Sequence, residues 1–254
     1  MNRIVVGPEG EFSLGGENFV VDMSEKDRRP SDAEAFTIVK NEPYLRFYEL
    51  LASSFSPRSI LELGIFQGGS YVFLDKLFKP RRMSGVDISP KPVASLLRYV
   101  ADMKDRFVHF AASQCDREIL ERIVRDELAD ELDFVVDDAS HTYEQTKASF
   151  EFLFPLLRPS GIYIIEDWGW AHALGYQPSD APRANCIALS NLLFEQIMLM
   201  GSTSLIAEIR ICKQLYLIRK AATAHAESPK AERDDESGSI FDQILSRGRK
   251  WHAI

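Results

Sequence analysis

The chain has 254 residues, of which 45% are hydrophobic and 27% are charged, as is typical of a soluble globular protein. This length favours one large α/β domain over two small domains. The formal net charge of -8 argues against nucleic acid as the main partner, because binding phosphate groups requires a basic surface. No apolar run approaches the ~20 residues of a membrane-spanning helix, so we expect no membrane partner.

The N-terminal stretch and the cysteines predict the compartment. The stretch "MNRIVVGPEGEFSLGG" lacks the apolar core of a signal peptide. The cysteines Cys115, Cys186 and Cys212 are odd in number and show no metal-binding spacing, so we interpret them as reduced, mostly structural thiols. We therefore predict a cytoplasmic protein.

Residues 1–42 are polar and rich in Gly, Pro and charge, with little periodicity, so we expect an irregular arm or lid there. A helical pattern follows over 42–55, and strand-like and helix-like patterns then alternate. The predicted strands are 59–65, 83–88, 106–112, 132–138 and 161–167, and the helices between them are 70–78, 92–103, 117–128 and 143–157. This alternation predicts a parallel sheet covered by helices on both faces.

The pattern changes after the fifth strand. The loop over 168–185 is longer than a plain connection requires, so we expect it to be functional. A predicted helix over 186–201 precedes strands over 204–212 and 214–220, which suggest an antiparallel hairpin at the sheet edge. Small, polar and charged residues then predict a linker, followed by a short amphipathic helix. The predicted organisation is an arm over 1–42, a domain over 43–220, and a linker with a tail over 221–254.

The stretch "LELGIFQGGS" (61–70) places glycines between a predicted strand and a predicted helix. Gly64, Gly68 and Gly69 permit positive φ angles and let backbone amides approach a ligand at the helix N-terminus. Asp87 ends the next strand, where an acid is placed to accept hydrogen bonds from ribose hydroxyls. The glycine spacing differs from GxGxxG, so a single nucleoside-type cofactor fits better than a dinucleotide. The alternative is a tight turn that binds nothing.

Four carboxylates follow predicted strands. Asp137 and Asp138 end the fourth strand, and Glu166 and Asp167 end the fifth. Ligands of open α/β folds bind at the carboxyl ends of the strands, and carboxylates crowded there repel one another unless a cation lies between them. An oxygen-only site suits a hard cation, Mg²⁺ first and Mn²⁺ or Ca²⁺ next. The alternative is that the acids cap the following helices, which explains one acid per strand end and not two.

The strand–helix units, the "ELG…GGS" loop, Asp87 and the closing hairpin resemble a class I S-adenosylmethionine-dependent methyltransferase. The stretches "VDDASH" (136–141) and "GIYIIEDW" (161–168) are similar to the metal-dependent macrocin- and mycinamicin-type sugar O-methyltransferases, and more loosely to the cephalosporin-hydroxylase-like proteins. The resemblance implies a Rossmann-like, largely parallel seven-stranded sheet with helices on both faces and a C-terminal antiparallel hairpin. It also implies S-adenosylmethionine, an oxygen-ligated Mg²⁺ ion and methylation of a sugar hydroxyl.

The resemblance also implies roles for individual residues. Those expected to contact the cofactor are Glu62, Gly64, Gly68, Ser70, Asp87, Gln114, Asp116 and Asp137. Asp87 would hold the ribose diol, while Gln114 and Asp116 would lie near the adenine, although the family often has a Gly-Asp pair where this chain has Ala-Ser. Asp137 is expected to face either the cofactor or a helix N-terminus.

The expected metal ligands are Asp138, Glu166 and Asp167, the positions that match the subgroup. His141 would be the general base, because an alcohol is a very weak acid and must lose its proton to attack a sulfonium methyl group. The alternative for His141 is a solvent-facing residue beside a helix cap. An in-line displacement would then depend mainly on how the two reactants are oriented.

The acceptor and the assembly are less defined by the sequence. Trp168, Trp170 and Tyr176 could stack on a sugar or simply pack, and the role of His172 stays open. The subgroup implies a homo-oligomer, with the N-terminal arm and the tail that carries Trp251 as exchange elements.

The leading hypothesis is an O-methyltransferase acting on a sugar hydroxyl of a natural-product glycoside or glycan. Alternatives are a metal-dependent enzyme acting on a catechol or other diol, and a non-catalytic cofactor-binding partner of a hydroxylase. The glycine spacing and the carboxylates both argue against a nicotinamide-dependent oxidoreductase.

Overall fold

The structure is a computed structural model that describes residues 3–173 and 186–223, and the chain divides into two compact units, Met1–Ala139 and Ser140–Ile254. The strands of the first unit are β1 (Glu11–Leu14), β2 (Glu17–Val21), β3 (Phe36–Ile38), β4 (Ser59–Leu63), β5 (Arg82–Val86), β6 (Arg106–His109) and β7 (Phe134–Asp137). Its helices are α1 (Glu42–Ala52), α2 (Gly69–Phe78), α3 (Ala94–Val100) and α4 (Arg117–Arg122), which continues into a π-helical turn (Ile123–Glu127). Every element predicted between residues 42 and 138 is present, with ends that differ by a few residues.

Four parallel strands form the centre of the first unit, in the order β6-β5-β4-β7. All residues of β4 and β7 are buried, which explains their apolar sequences, since strands covered on both faces have no solvent side. Leu63 pairs with Val86 on one side and with Asp137 on the other. This register brings the residues that follow the three strands, including Asp87 and Asp138, to the same end of the sheet.

The expectation of an irregular segment over 1–42 is wrong for β1, β2 and β3, which form a separate three-stranded sheet. Gly15 and Gly16 have φ angles of 59° and 88° and make a two-residue turn between β1 and β2. Phe19 is fully buried, and its ring centroid lies 4.9 Å from that of Phe12 and 6.3 Å from that of Phe73 in α2. Burial of these rings against α2 stabilises strands too short to be recognised from their own periodicity.

The second unit contains α5 (Tyr143–Leu156), β8 (Ile162–Glu166), a 3₁₀ turn (Trp170–His172), α6 (Ser190–Ser202), β9 (Ile206–Ile211) and β10 (Leu215–Lys220). β10 pairs antiparallel with both β8 and β9. The predicted hairpin is therefore confirmed, but its connection is longer than Lys213 alone, because β9 ends at Ile211 and the Cys212 amide donates to the Leu215 carbonyl at 2.9 Å.

The complete strand order is β6-β5-β4-β7-β8-β10-β9, a largely parallel seven-stranded sheet with a C-terminal antiparallel hairpin. This order confirms the predicted Rossmann-like fold class. Within the part of the chain that the structure describes, no helix is long and apolar enough to cross a membrane. The predicted linker and tail lie outside the described residues from 224 onwards.

Candidate cofactor and metal site

The glycine loop between β4 and α2 has the backbone conformation that its sequence predicts. Gly64 and Gly68 have φ angles of 87° and 80°, in the left-handed region that favours glycine. A Cβ atom on Gly64 would lie 2.2 Å from the carbonyl oxygen of Asp138, so no side chain fits there. Gly68 is the N-cap of α2 and gives it no side-chain cap, and the next residues, including the half-buried Ser70, form the first turn of the helix.

Asp87 fastens the glycine loop to the end of β5. One carboxylate oxygen accepts from the amide of Phe66 at 2.7 Å, and the other accepts from the amide of Ser89 at 2.8 Å. Each carboxylate oxygen has two lone pairs, so Asp87 can accept further hydrogen bonds from a ligand diol. Two large apolar side chains next to these contacts, Phe66 and Ile88, are 51% and 72% exposed, and no sequence motif marks them as candidate ligand contacts.

The other residues expected to contact the cofactor differ in their surroundings. Glu62 is buried within β4, and the buried Gln114 donates to both oxygens of the Asp137 carboxylate, at 3.1 and 3.3 Å. Asp116 is the N-cap of α4 and accepts from the Ile119 amide at 3.1 Å, so a structural role accounts for its position. The cofactor contacts of these residues stay predictions.

Asp138 directly follows β7 and forms an ion pair with a lysine from a distant part of the first unit. The Lys40 ammonium donates to Oδ2 of Asp138 at 2.7 Å, and its side chain is 1% exposed against 22% for Asp138. The Lys40 ammonium also lies 5.5 Å from the ring centroid of Tyr44. Nothing in the surrounding sequence, "TIVKNEP", marks this lysine as buried, because its partner lies far away along the chain.

His141 lies two residues before α5 in a left-handed conformation with a φ angle of 55°. The indole Nε1 of Trp170 donates to the His141 carbonyl at 2.8 Å. The hydroxyl of Ser140 accepts from the Thr142 amide at 3.2 Å and completes the turn. The predicted position near a helix start is confirmed, but the unusual backbone was not foreseen.

The start of α5 is anchored to α6 within the second unit. The Tyr143 hydroxyl donates to Glu195 at 2.5 Å, and Lys147 lies 3.2 Å from the same carboxylate. Burial raises the pKa of the Tyr143 phenol, and the hydrogen bond to Glu195 raises this pKa further. This network fixes the first turn of the helix that follows His141.

The strand end at β8 carries the remaining acids. Glu166 is the last residue of β8 and is 2% exposed, whereas Asp167 is exposed and has a φ angle of 52°. The Asp167 amide donates to the Gln214 carbonyl at 2.7 Å, which fixes the chain as it leaves the sheet.

Within the described residues, one group of side chains could hold a metal ion: Asp138, His141 and Asp167. Each offers one ligand atom, and these atoms all lie within 4.8 Å of one another. The group contains two of the three predicted ligands together with the predicted base, while Glu166 does not belong to it. Two carboxylates and an imidazole can bind a divalent cation or share a proton with a ligand.

The aromatic residues after Asp167 have structural contacts. Trp168 donates to the Cys212 carbonyl at 2.9 Å and lies edge-on to Tyr216 at 6.2 Å, which favours packing for this residue. A ring nitrogen of His172 lies 2.7 Å from the hydroxyl of Ser190. Tyr176 lies outside the described residues.

The strand order, together with the glycine loop and the acids at the strand ends, shows that this protein has the class I methyltransferase fold. A family model described as rhamnosyl O-methyltransferase/CmcI matches residues 36–173, more than half of the chain, and the chain belongs to this family. The resemblance inferred from the stretches "VDDASH" and "GIYIIEDW" is thereby confirmed.

Curated relatives include a tetracenomycin-C rhamnosyl 3'-O-methyltransferase from Streptomyces olivaceus, 33% identical over 135 residues, which are 50% of this chain and 32% of the relative. Mycinamicin VI 2''-O-methyltransferase from Micromonospora griseorubida is 32% identical over 124 residues, 46% of this chain and 29% of the relative. The match thus spans about a third of the length of these relatives.

Solved structures support the fold assignment. The methyltransferase MycE of the mycinamycin pathway, in complex with Mg and SAH, has a TM-score of 0.51 and is 25% identical, with coverage of 74% of this chain and 51% of that chain. A putative caffeoyl-CoA O-methyltransferase from Staphylococcus aureus has a TM-score of 0.54 and 15% identity, covering 72% of this chain and 86% of its own. At that identity the second likeness shows the fold alone.

Proposed function

We propose that this protein is an S-adenosylmethionine-dependent and Mg²⁺-dependent O-methyltransferase that acts on a sugar hydroxyl of a natural-product glycoside or glycan. Family membership supports this proposal, as do the O-methyltransferase activities for which the two relatives are named and the Mg and SAH in the MycE complex. The observation that carries the proposal is the group of Asp138, His141 and Asp167, which combines two possible metal ligands with one possible proton acceptor.

The residues of the glycine loop fit S-adenosylmethionine. The absence of a Cβ at Gly64 leaves the loop backbone close to the end of β7, and the first turn of α2 has no side-chain cap in the described structure. A helix N-terminus of this kind suits the carboxylate of the methionine part. The Asp87 carboxylate, held beside the loop by the Phe66 amide, suits the ribose diol.

The donor set also fits Mg²⁺. This ion is commonly held by one or two carboxylates, with water and substrate oxygens completing its shell, and Asp138 and Asp167 supply two carboxylates. Lys40 donates to Oδ2 of Asp138 at 2.7 Å and so fixes the carboxylate that would hold the ion. We propose Glu166, buried at the end of β8, as a further ligand.

These residues divide the chemistry between them. Bound Mg²⁺ would lower the pKa of an acceptor hydroxyl, as a metal ion does for water. Asp138 and Asp167 would hold the ion, and His141 would take the proton of the acceptor hydroxyl on a ring nitrogen. The glycine loop and Asp87 would orient the methyl donor, and this orientation would supply much of the rate enhancement.

Transfer of a labelled methyl group tests the proposal. The protein is incubated with tritium-labelled S-adenosylmethionine, Mg²⁺ and p-nitrophenyl α-L-rhamnoside, with catechol as the alternative acceptor. We expect the label to appear in the rhamnoside. In the His141→Ala variant we expect the transfer rate to fall to ~10⁻²–10⁻⁴ of the wild-type rate. Label in catechol alone would favour the diol alternative, and cofactor binding without transfer to either acceptor would favour the non-catalytic alternative.

We also propose a cytoplasmic homo-oligomer. None of the three cysteines, all of which lie within the described residues, forms a disulfide bond, and this suits a reducing compartment. On α6, Phe194, Ile197 and Met200 recur at spacings of three residues and are 54%, 37% and 37% exposed, an apolar stripe suited to a second copy. A monomer mass in light scattering at tens of micromolar protein would contradict the proposed homo-oligomer. Fractionation of expressing cells tests the proposed compartment, and we expect the protein in the cytoplasmic fraction.

The division into an arm over 1–42, a domain over 43–220 and a linker with a tail over 221–254 is also a proposal. Limited proteolysis tests it, with cleavage expected first within the linker.

A further inference from the structure

Trp170 connects two residues of the candidate site within the second unit. Its indole Nε1 donates to the carbonyl of His141 at 2.8 Å. Its backbone amide donates to the carbonyl of Asp167 at 3.3 Å. Trp170 is also the first residue of the 3₁₀ turn, and its ring is half-buried. One residue therefore contacts both the segment before α5 and the turn after β8.

The two residues that Trp170 contacts have the same unusual backbone. His141 and Asp167 have φ angles of 55° and 52°, in the left-handed region that residues with a side chain seldom occupy. Such conformations persist where neighbouring contacts hold them, and each changes the direction in which its side chain leaves the chain. Loss of a contact to either backbone would let that segment relax.

We propose that Trp170 is a positioning residue: its indole N–H holds the left-handed turn at His141, and so fixes the imidazole relative to the turn at Asp167. This inference rests on the proposed function, in which His141 is the general base and Asp167 a metal ligand. Trp170 acts through these residues and does not itself react.

Trp168 provides a matched control from the same turn. Its indole Nε1 also donates to a backbone carbonyl at 2.9 Å, but the acceptor is Cys212, the residue directly after β9. Its ring packs edge-on against Tyr216 at 6.2 Å. Replacement of Trp168 by phenylalanine thus removes a similar hydrogen bond and leaves the His141 turn intact.

The test compares Trp170→Phe with Trp168→Phe in the whole 254-residue chain. In Trp170→Phe we expect kcat for methylation of the p-nitrophenyl rhamnoside to fall ~10–100-fold, with little change in KM for the methyl donor, since small displacements at a reacting centre cost this much. We expect Trp168→Phe to stay within about threefold of the wild type. Equal losses in kcat in both variants would show that the indole bond to His141 has no special role.

A second measurement needs no catalysis. Diethyl pyrocarbonate acylates exposed imidazoles, and peptide mass spectrometry reports the modification rate of His141. We expect this rate to rise at least about threefold in Trp170→Phe and to stay unchanged in Trp168→Phe, because only the first releases the His141 turn. Equal modification rates in the two variants overturn the inference even if the protein transfers no methyl group. Conversely, an active protein whose His141→Ala variant keeps its full rate overturns the proposed function of His141.

If Trp170→Phe does not fold, a measurement on the wild-type protein tests the same inference through the NMR signal of the Trp170 indole N–H. The chain has 3 tryptophans, so replacement of Trp168 and of Trp251 assigns the three indole N–H signals in a nitrogen-15 spectrum by elimination. We expect the Trp170 indole proton to be protected from solvent exchange and its signal to shift when Mg²⁺ is added. An unprotected signal that ignores Mg²⁺ would contradict the inference.

Discussion

Replacement of Lys40 by methionine would test the ion pair that holds Asp138. The Lys40 side chain is 1% exposed, and its ammonium lies 2.7 Å from Oδ2 of Asp138, which is 22% exposed. Methionine keeps most of the apolar stem of lysine and removes the charge. The carboxylate then loses this donor in surroundings that water reaches only in part.

The size of the effect follows from burial. Removing one partner of a buried ion pair lowers the free energy of unfolding by about 3–5 kcal/mol, mostly because the remaining charge is left uncompensated. Partial exposure of Asp138 screens its charge, so we take the lower end, about 3 kcal/mol of unfolding free energy. For a protein of this size each kcal/mol shifts Tm by about 2–4 °C, which gives a decrease of about 6–12 °C.

Calorimetric melting of the metal-free protein measures this decrease, and Lys76→Met is the control. Lys76 also pairs with an acid, Glu17, at 3.2 Å and lies over a tyrosine ring, but the paired side chains are 21% and 32% exposed. A more exposed pair contributes about 0–1 kcal/mol, so we expect a decrease below about 4 °C. Replacing Asp138 by asparagine in the Lys40→Met protein should recover much of the loss. Equal decreases in Lys40→Met and Lys76→Met would refute the reasoning.

Two further predictions separate the proposed cofactor residues from the proposed metal ligands. Asp87→Ala should weaken S-adenosylmethionine binding by about 1–3 kcal/mol in calorimetry, because charge-assisted hydrogen bonds are lost, and unchanged affinity would remove Asp87 from the site. Asp167→Asn should lower Mn²⁺ affinity at least about tenfold in a paramagnetic resonance titration and abolish transfer, while cofactor affinity stays within about twofold. Full Mn²⁺ affinity in this variant would show that Asp167 is not a ligand.

The central sheet and the strand-end acids could be predicted because local sequence determines them. The apolar run before Gly64 becomes β4, and the parallel register then places Asp87 and Asp138 at the same end of the sheet. These positions depend only on strand order and on the residues at each strand end.

The remaining features depend on contacts between distant parts of the chain. Lys40 and Asp138 are 98 residues apart, and Trp170 and His141 are 29 apart. The N-terminal sheet depends on aromatic rings buried against α2. Thr37 of this sheet also approaches Gly69 so closely that a Cβ atom on Gly69 would lie 2.1 Å from the Thr37 carbonyl oxygen, and no local sequence pattern predicts this contact. Tertiary packing of this kind overrides the weak propensities of short segments.

The most direct test of the proposed function is the metal dependence of methyl transfer. Production of SAH from S-adenosylmethionine is measured with the rhamnoside acceptor, after dialysis against EDTA and after addition of Mg²⁺. We expect no turnover without the metal, recovery with Mg²⁺, and unchanged cofactor affinity in both states. The reason is that in the proposed site Asp138 and Asp167 hold the metal, while the glycine loop and Asp87 hold the cofactor. Full turnover in EDTA would contradict the account and would leave the carboxylates with a structural role only.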